Sequence, residues 1–262
     1  LLGIDTTFNL GKFFITTTTF RNQALQNRKT KQSVITLGPS MIHYREDSQS
    51  YQELLEFIRR ELNGSIPVAV GSDGAKAILN AVSIVFPNSV HLFCTRHVRN
   101  NIERQLIKTR ATQDQRRTLL KFIFDLPESL VQSKTEEDFA ERMDVLREVS
   151  DGIETEDSSS ENPSRNFYDW FERYQSNVFR YHMLASIRAP IKHVDRDGNA
   201  LLFYNNDAEA MNHVLKVAAN WEVKSISDII DIIDRVMITQ KSDLLRSLYD
   251  AGEWELVPPY TR

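Results

Sequence analysis

Three acidic residues stand where a fold could gather them. Asp5 lies inside the β-prone run LLGIDTTF, between Ile4 and Thr6. An aspartate suits a strand interior poorly, so either the strand is an edge or ends early, or the carboxylate serves a site. Asp73 follows the apolar run IPVAVG directly, at the carboxyl end of a strand, where open α/β sheets collect their chemistry. Ser72 or Asp73 would equally cap the helix that follows. Glu209 falls in YNNDAEAMNHVLK, where Asn206 as N-cap and Glu209 three residues on form a capping-box-like pattern. Glu209, Asn212, His213 and Lys216 also recur at i, i+3, i+4 and i+7, a polar face opposite Ala208, Met211, Leu215 and Ala218. Gathered together, such acids are a ligand set for a hard divalent cation.

Other chemistry is thinly represented. Cys94 and His97 form CTRH at the end of a second apolar run, SVHLFC. Their i, i+3 spacing suits two ligands of one metal, but no second cysteine or histidine pair of matching spacing exists to complete a zinc site. A small core residue is the other reading of Cys94. Neither a serine nor a cysteine hydrolase triad is supported. With nine glycines there is no phosphate-cradling glycine-rich loop, and GSDG has the wrong spacing for either nucleotide fingerprint.

The elements that must position these residues follow from hydrophobic patterning. LLGIDTTF and KFFITTTTFR, separated by NLG, read as a β-hairpin, and SVITL as a third strand. Tyr51, Leu54, Leu55, Ile58 and Leu62 mark an amphipathic helix. IPVAVG reads as a strand buried on both faces. A helix with Ile78, Ala81, Val82 and Val85 inward, the strand SVHLFC, and a helix with Val98, Ile102 and Leu106 inward come next. The order predicts an α/β fold with a mixed sheet, three antiparallel strands followed by alternating helices and strands. Residues 1–108 form the first part of this core. Residues 109–200 are predicted mostly helical, an insertion with a flexible acidic loop at 151–164 and a hairpin-like return turning at Asp197–Gly198. Residues 201–262 complete the core with the Glu209 helix and C-terminal helices. There, Ile226, Ile229, Ile230, Ile233, Val236 and Met237 are expected on one core-facing side.

Composition sets further bounds. The 262 residues, 41% hydrophobic and 26% charged, suit an ordinary globular protein with a sizeable core. No apolar run approaches the roughly 20 residues of a membrane span. A single cysteine excludes an internal disulfide framework and suits cytosol or nucleus. The chain opens on Leu1 and runs directly into apolar sequence, as expected of a piece of a longer protein. A net charge of −4 argues against a nucleic-acid-binding module spanning the whole chain. Charge is uneven, however. Arg96, Arg99, Arg104, Lys108, Arg110, Arg116, Arg117 and Lys121 form a basic run, while Glu136 to Glu161 holds eleven carboxylates against two arginines.

The motifs in order resemble the catalytic domain of Mutator-like element (MULE) transposases. GIDTTF resembles the family's first catalytic strand. SDGAKAILNAVSIVFPNSVHLFCTRHVRNNI resembles the segment with its second aspartate and C-x-x-H, and YNNDAEAMNHVLK the NN-x-x-E-x-x-N element with its glutamate. The likeness runs from about residue 1 to 220. It implies an RNase H-like DDE fold with a helical insertion, and a cut-and-paste DNA transposase that cleaves and transfers DNA strands. Asp5, Asp73 and Glu209 would be catalytic and would hold two Mg²⁺ (or Mn²⁺) ions, with Asp5 shared between them. Cys94 and His97 would sit near this centre in a structural or DNA-positioning role. Asn206 and Asn212 would orient Glu209 or contact DNA, and the Arg96, Arg99 and Arg104 face would contact the DNA backbone. Implied partners are transposon-end and target DNA and a second copy of the chain, in the nucleus and not at a membrane. The family's DNA-recognising zinc module is expected outside this stretch. Two other readings stay open: a non-catalytic DNA-binding or regulatory module retained by a host, and another RNase H-like nuclease.

Overall fold

The computed structural model describes residues 1–109, 111–151, 167–195, 197–258 and 260. Arg110 of the basic run lies outside them, as does the expected acidic loop apart from Asp151. Along the chain come β1 (Leu2–Thr7), β2 (Phe14–Asn27), β3 (Ser33–His43), α1 (Ser48–Glu61), β4 (Ala69–Ser72) and α2 (Lys76–Val85). Then follow β5 (Val90–Phe93), α3 (Thr95–Lys108), α4 (Gln113–Leu120), α5 (Glu136–Asp151), α6 (Phe167–Tyr174), α7 (Ser176–His182) and α8 (Ala185–Arg188). The chain closes with α9 (Asn206–Ala218), α10 (Ile226–Leu248) and β6 (Trp254–Leu256). The fold is mixed α/β and divides into two compact units, Leu1–Ser89 with Asn205–Arg262, and Val90–Tyr204. Among the described residues no helix is long and apolar enough to cross a membrane.

The first unit is built on a mixed sheet. β1 pairs antiparallel with β2 from Leu2↔Phe20 to Thr7↔Ile15, and β2 pairs antiparallel with β3. On its other side β1 runs parallel to β4, with Leu2↔Val70 and Gly3↔Gly71 in register. β6 adds to the far end of β2 through Leu25↔Leu256. Strand alternation divides the residues between two faces. Leu2 and Ile4 pack with Tyr51, Leu55 and Ile58 of α1 and with Ile78 and Val82 of α2. Leu10, Phe13 and Ile15 pack with Leu215 and Ala219 of α9 and Ile229 and Ile232 of α10.

Polar side chains tie α1 to the sheet. Tyr51 Oη bonds Thr6 Oγ1 at 3.1 Å, Thr6 bonds Thr16 at 2.8 Å, and Thr16 bonds His43 Nε2 at 2.8 Å. His43 Nδ1 meets the Arg45 carbonyl at 2.7 Å. A carbonyl only accepts, so Nδ1 carries its hydrogen; a neutral ring then accepts from Thr16 at Nε2. Each hydroxyl has one proton to give, which makes Thr6 donate to Thr16 and Tyr51 to Thr6. Burial is the chief reason the Tyr51 hydroxyl is held above its ordinary pKa.

Two expectations for this unit need correction. The strand at IPVAVG begins only at Ala69, because Ile66 and Val68 are exposed. On α10 the buried side is Ile229 and Ile232, with Ile233 and Val236 packed beside them. Ile230 and Met237 are 54% and 46% exposed, so isoleucines occupy both sides of this helix.

The second unit opens with β5, and its described residues are otherwise mostly helical. Leu92, Cys94 and Phe203 form one buried cluster, and Phe124, Phe171 and Phe179 pack ring against ring. The hairpin-like return at Asp197–Gly198 is reduced to one bridge, Val194↔Ala200. Gly198 supplies the left-handed φ of +85°, and Asp195 Oδ1 accepts from the Asp197 and Asn199 amides.

A histidine pair makes this unit acid-sensitive. His182 stacks flat on Phe93 at 4.1 Å and lies edge-on to His91 at 5.7 Å. Its Nδ1 bonds the His91 carbonyl at 2.8 Å. Burial, reinforced by His182, pushes the His91 ring down to about 3, and burial also lowers His182. Both folded values lie below the unfolded value of about 6.5, so the unfolded chain binds more protons below that pH. The stability contributed by neutral rings is therefore full above about pH 6.5 and is lost as pH falls towards about 3. Each histidine contributes a slope of up to about 1.4 kcal/mol per pH unit. Urea unfolding between pH 7 and pH 4 should show this loss. His182→Phe, which can keep the stacking, should show a shallower one; equal slopes would remove the pair as the cause.

Candidate active site

Asp5 and Asp73 owe their placement to strand register. Gly3 of β1 and Gly71 of β4 are partners across the parallel pair. Two residues beyond, on each chain, stand Asp5 and Asp73. Asp5 stands within β1, which runs on to Thr7, and Asp73 follows Ser72, the last residue of β4. Both are half-buried. Asp73 lies just past β4 and turns the chain: its Oδ1 accepts from the Ala75 amide at 2.9 Å, while Ser72 Oγ accepts from the Gly74 amide at 3.1 Å. Neither residue caps α2, whose N-cap is Ala75.

Two asparagines that flank Glu209 in sequence tie its helix to β1. Asn205 Nδ2 donates to the Ile4 carbonyl at 3.0 Å. Asn212 Nδ2 donates to Asp5 Oδ2 at 2.7 Å, and Asn212 Oδ1 accepts from Thr17 Oγ1 at 2.9 Å. Thr17 is itself the cross-strand partner of Asp5. Residues 205, 209 and 212 share one side of a helix. Position 3 is glycine, and the group a side chain there would crowd is Thr19 of β2, with Asn205 in ordinary contact. A Cβ there would lie 2.7 Å from Thr19 Oγ1 and 3.6 Å from Asn205 Oδ1. Arg21 of β2 braces the start of α9 through a two-pronged pair with Asp207, both contacts at 2.7 Å.

These bonds revise the reading of YNNDAEAMNHVLK. The N-cap is Asn205, not Asn206, and it makes no side-chain capping bond. The Glu209 amide is satisfied by the Asn205 carbonyl at 3.0 Å, and the capping box is absent. Asn212 is buried and orients Asp5, while Asn206 is exposed. Asn205 and Thr17 were not singled out in the sequence. The i, i+4, i+7 spacing of Asn205, Glu209 and Asn212 was the available signal for the first. The three carboxylates are not gathered within 4.8 Å of one another. Like charges at that spacing repel.

The remaining sequence candidates belong to the second unit. Cys94 is buried at the N-cap position of α3, without a side-chain capping bond, and packs with Leu92 and Phe203. His97, one turn on, is half-buried. Arg96 and Arg104 are exposed, and Arg104 reaches back to the Asn100 carbonyl and the Asn101 side chain. Arg99 is otherwise engaged. It forms a two-pronged pair with Asp125 at 2.6 and 2.9 Å and lies over the Phe124 ring. The Asp125 hydrogen bond raises its pKa further, which leaves less of this guanidinium for phosphate.

Donor chemistry decides what the first unit's acids suit. Asp5, Asp73 and Glu209 offer only hard oxygen atoms, and the Asn212 bond fixes Asp5 through one oxygen while leaving the other unengaged by that amide. Such a set fits Mg²⁺ or Mn²⁺ rather than zinc. No curated protein matches the chain. Residues 1–101, which include Asp5, Asp73, Cys94 and His97 but not Glu209, match the family model of the MULE transposase domain, the family that the motifs resemble.

Proposed function

We propose that the chain is the catalytic core of a cut-and-paste DNA transposase with an RNase H-like fold, in which Asp5, Asp73 and Glu209 hold two divalent cations. The family match supports the transposase reading. The observation that supports the site is an aspartate in β1, another just past its parallel neighbour β4, and a glutamate on a helix tied to the first strand by Asn205 and Asn212. A three-stranded meander followed by a strand parallel to the first supports the fold. The helical stretch 109–200 is then an insertion within the core.

When bound, Mg²⁺ or Mn²⁺ supplies Lewis-acid stabilisation of phosphoryl charge and acidifies an attacking hydroxyl. The chain's own residues provide the ligands and their orientation. Asn212, fixed by Thr17, holds the Asp5 carboxylate in one rotamer, so ordering it costs little at the time of binding. Asp73 is held by its turn, and Glu209 by the docking of α9. Cys94, His97, Arg96 and Arg104 are proposed to position DNA, the arginines by contacting phosphates.

The test is nicking of supercoiled plasmid by the 262-residue chain with Mg²⁺ or Mn²⁺, alongside Mn²⁺ binding followed by electron paramagnetic resonance. Cleavage that needs the cation and stops with chelator is expected. Absence of Mn²⁺ binding at millimolar concentration would overturn the catalytic reading in favour of a non-catalytic module. Preferential cutting of an RNA–DNA hybrid would replace the transposase with another RNase H-like nuclease.

A further inference from the structure

Beyond the carboxylates, the first unit carries an exposed cluster of two aromatic rings and a lysine. Phe8 and Trp221 are 55% and 62% exposed. The Lys216 ammonium lies 5.9 Å from the Phe8 ring centre and 6.0 Å from that of Trp221. His213 meets Trp221 edge-on at 5.5 Å. The only acid in the adjoining segment 220–225, Glu222, is paired with Lys224 at 2.6 Å, so the cluster itself presents positive charge and π-faces.

The backbone is bent to present these rings. Asn220 ends α9 in the left-handed region (φ 55°), and Trp221 repeats that conformation (φ 58°). A single such residue closes a helix, as the Asn220 and Trp221 amides do by donating to the Val217 and Lys216 carbonyls at 2.9 Å. A bulky tryptophan there is a strained choice, and the strain sets the indole beside Lys216 rather than in the core. Phe8 is presented by the β1–β2 turn, where Asn9 is also left-handed (φ 69°). The two segments are tied together, since the Lys224 amide donates to the Leu10 carbonyl at 2.7 Å, and Leu10 is buried against Leu215 and Ala219. The rings are therefore mounted on ordered backbone.

Their position relative to the acids is what gives the cluster meaning. Phe8 is three residues past Asp5, just beyond the end of β1, and His213 and Lys216 follow Glu209 at i+4 and i+7 on the same helix. We propose that Phe8, Lys216 and Trp221 form a binding platform for an unpaired nucleobase and its phosphate, beside the proposed cleavage site. Exposed aromatics with an interleaved cation are the chemistry by which single-stranded nucleic acid is held: any base has a face to stack, and the cation takes the phosphate. The proposal rests on the DNA-processing reading and deepens it by naming which form of DNA the site grips.

The test compares two fluorescein-labelled DNAs by anisotropy, with chelator present so that nothing is cut: a blunt duplex and the same duplex with a short single-stranded 3′ extension. Phe8→Ala and Trp221→Gly should each weaken binding of the extended DNA about tenfold and leave the blunt duplex unchanged. Trp221→Gly also tests folding, because glycine adopts the left-handed backbone without strain, so its melting temperature should not fall. Trp221→Phe should retain most of the preference. Lys216→Gln should lower the salt dependence of extended-DNA binding by about one counterion. Equal weakening on both DNAs, no weakening, or a changed sedimentation state in the variants would overturn the platform; the last would mark the rings as a contact between copies. The two proposals fail separately. A chain that nicks plasmid while Trp221→Gly binds as the parent does loses only the platform. A chain that grips the extension through Trp221 without ever nicking loses only catalysis.

Discussion

Replacing Glu209 by glutamine is expected to lower metal-dependent DNA cleavage by about a thousandfold or more while leaving the chain folded. Cation ligation is worth several kcal/mol of transition-state stabilisation, and each 1.36 kcal/mol is tenfold in rate. An amide keeps the shape of the side chain but loses its charge. The fold should be indifferent, because Glu209 closes no capping box and its amide is satisfied within the helix. Plasmid nicking and thermal melting of the same preparation check both halves. Asn212→Leu provides the contrast. It strips Thr17 and Asp5 of a shared, buried partner, so melting and cleavage should suffer together. A Glu209→Gln chain that melted early but cut normally would reverse the roles assigned to these two residues.

The second large effect lies far from any proposed chemistry. Arg188→Met should destabilise the second unit by about 3 kcal/mol. The guanidinium is 1% exposed. It donates to the Met183, Ala200 and Val131 carbonyls at 2.7, 2.9 and 2.9 Å, and to Gln132 Oε1 at 3.1 Å. All four acceptors are neutral, so burial lowers its pKa to about 10, and it remains charged at neutral pH. Removing it abandons three buried carbonyls, each costing about 1–3 kcal/mol unmet. Recovery of the arginine's own desolvation, about 3 kcal/mol from the shift, offsets part of that. Lysine cannot reproduce the fork, so Arg188→Lys should fall between. Urea unfolding together with amide exchange at Leu130–Gln132 reads the effect, and unchanged protection there would refute the clasp.

Arg188 also marks where sequence reading stops. One arginine in SIRAP carries no sign that its partners lie 5 to 57 residues away. The run of threonines in β2 is silent in the same way: Thr16 faces α1 and Thr17 faces α9, a distinction only register supplies. By contrast, the order of strands and helices was legible from periodicity, because buried strands such as VHLF and stripes such as Ile78, Ala81, Val82 and Val85 leave few alternatives. β6 was missed, since three residues give no alternation to count. The core-facing side of α10, right at Ile229, Ile233 and Val236, takes in Ile230 and Met237 wrongly and omits Ile232, because equating apolar with buried fails on a helix with isoleucines on both sides. In the proposed site, side-chain type pointed to the candidate acids. What holds them, Asn205, Asn212 and Thr17, depends on distances between segments about two hundred residues apart in sequence, which spacing within one motif cannot express.

That separation has a consequence in time. The first unit is discontinuous, and Asn212 reaches Asp5 only after the whole of Val90–Tyr204 has been made. At roughly 5–20 residues per second of synthesis, a nascent chain spends several seconds with both aspartates emerged and their asparagine brace still unmade. Closing so long an intervening segment adds only a few kcal/mol to the entropy of assembly, so nothing prevents the final docking of α9. Until then the chain has the parts of the proposed site without their geometry. A protein whose proposed substrate is the genome would thus be born inert, and armed only once α9 has been made and docked.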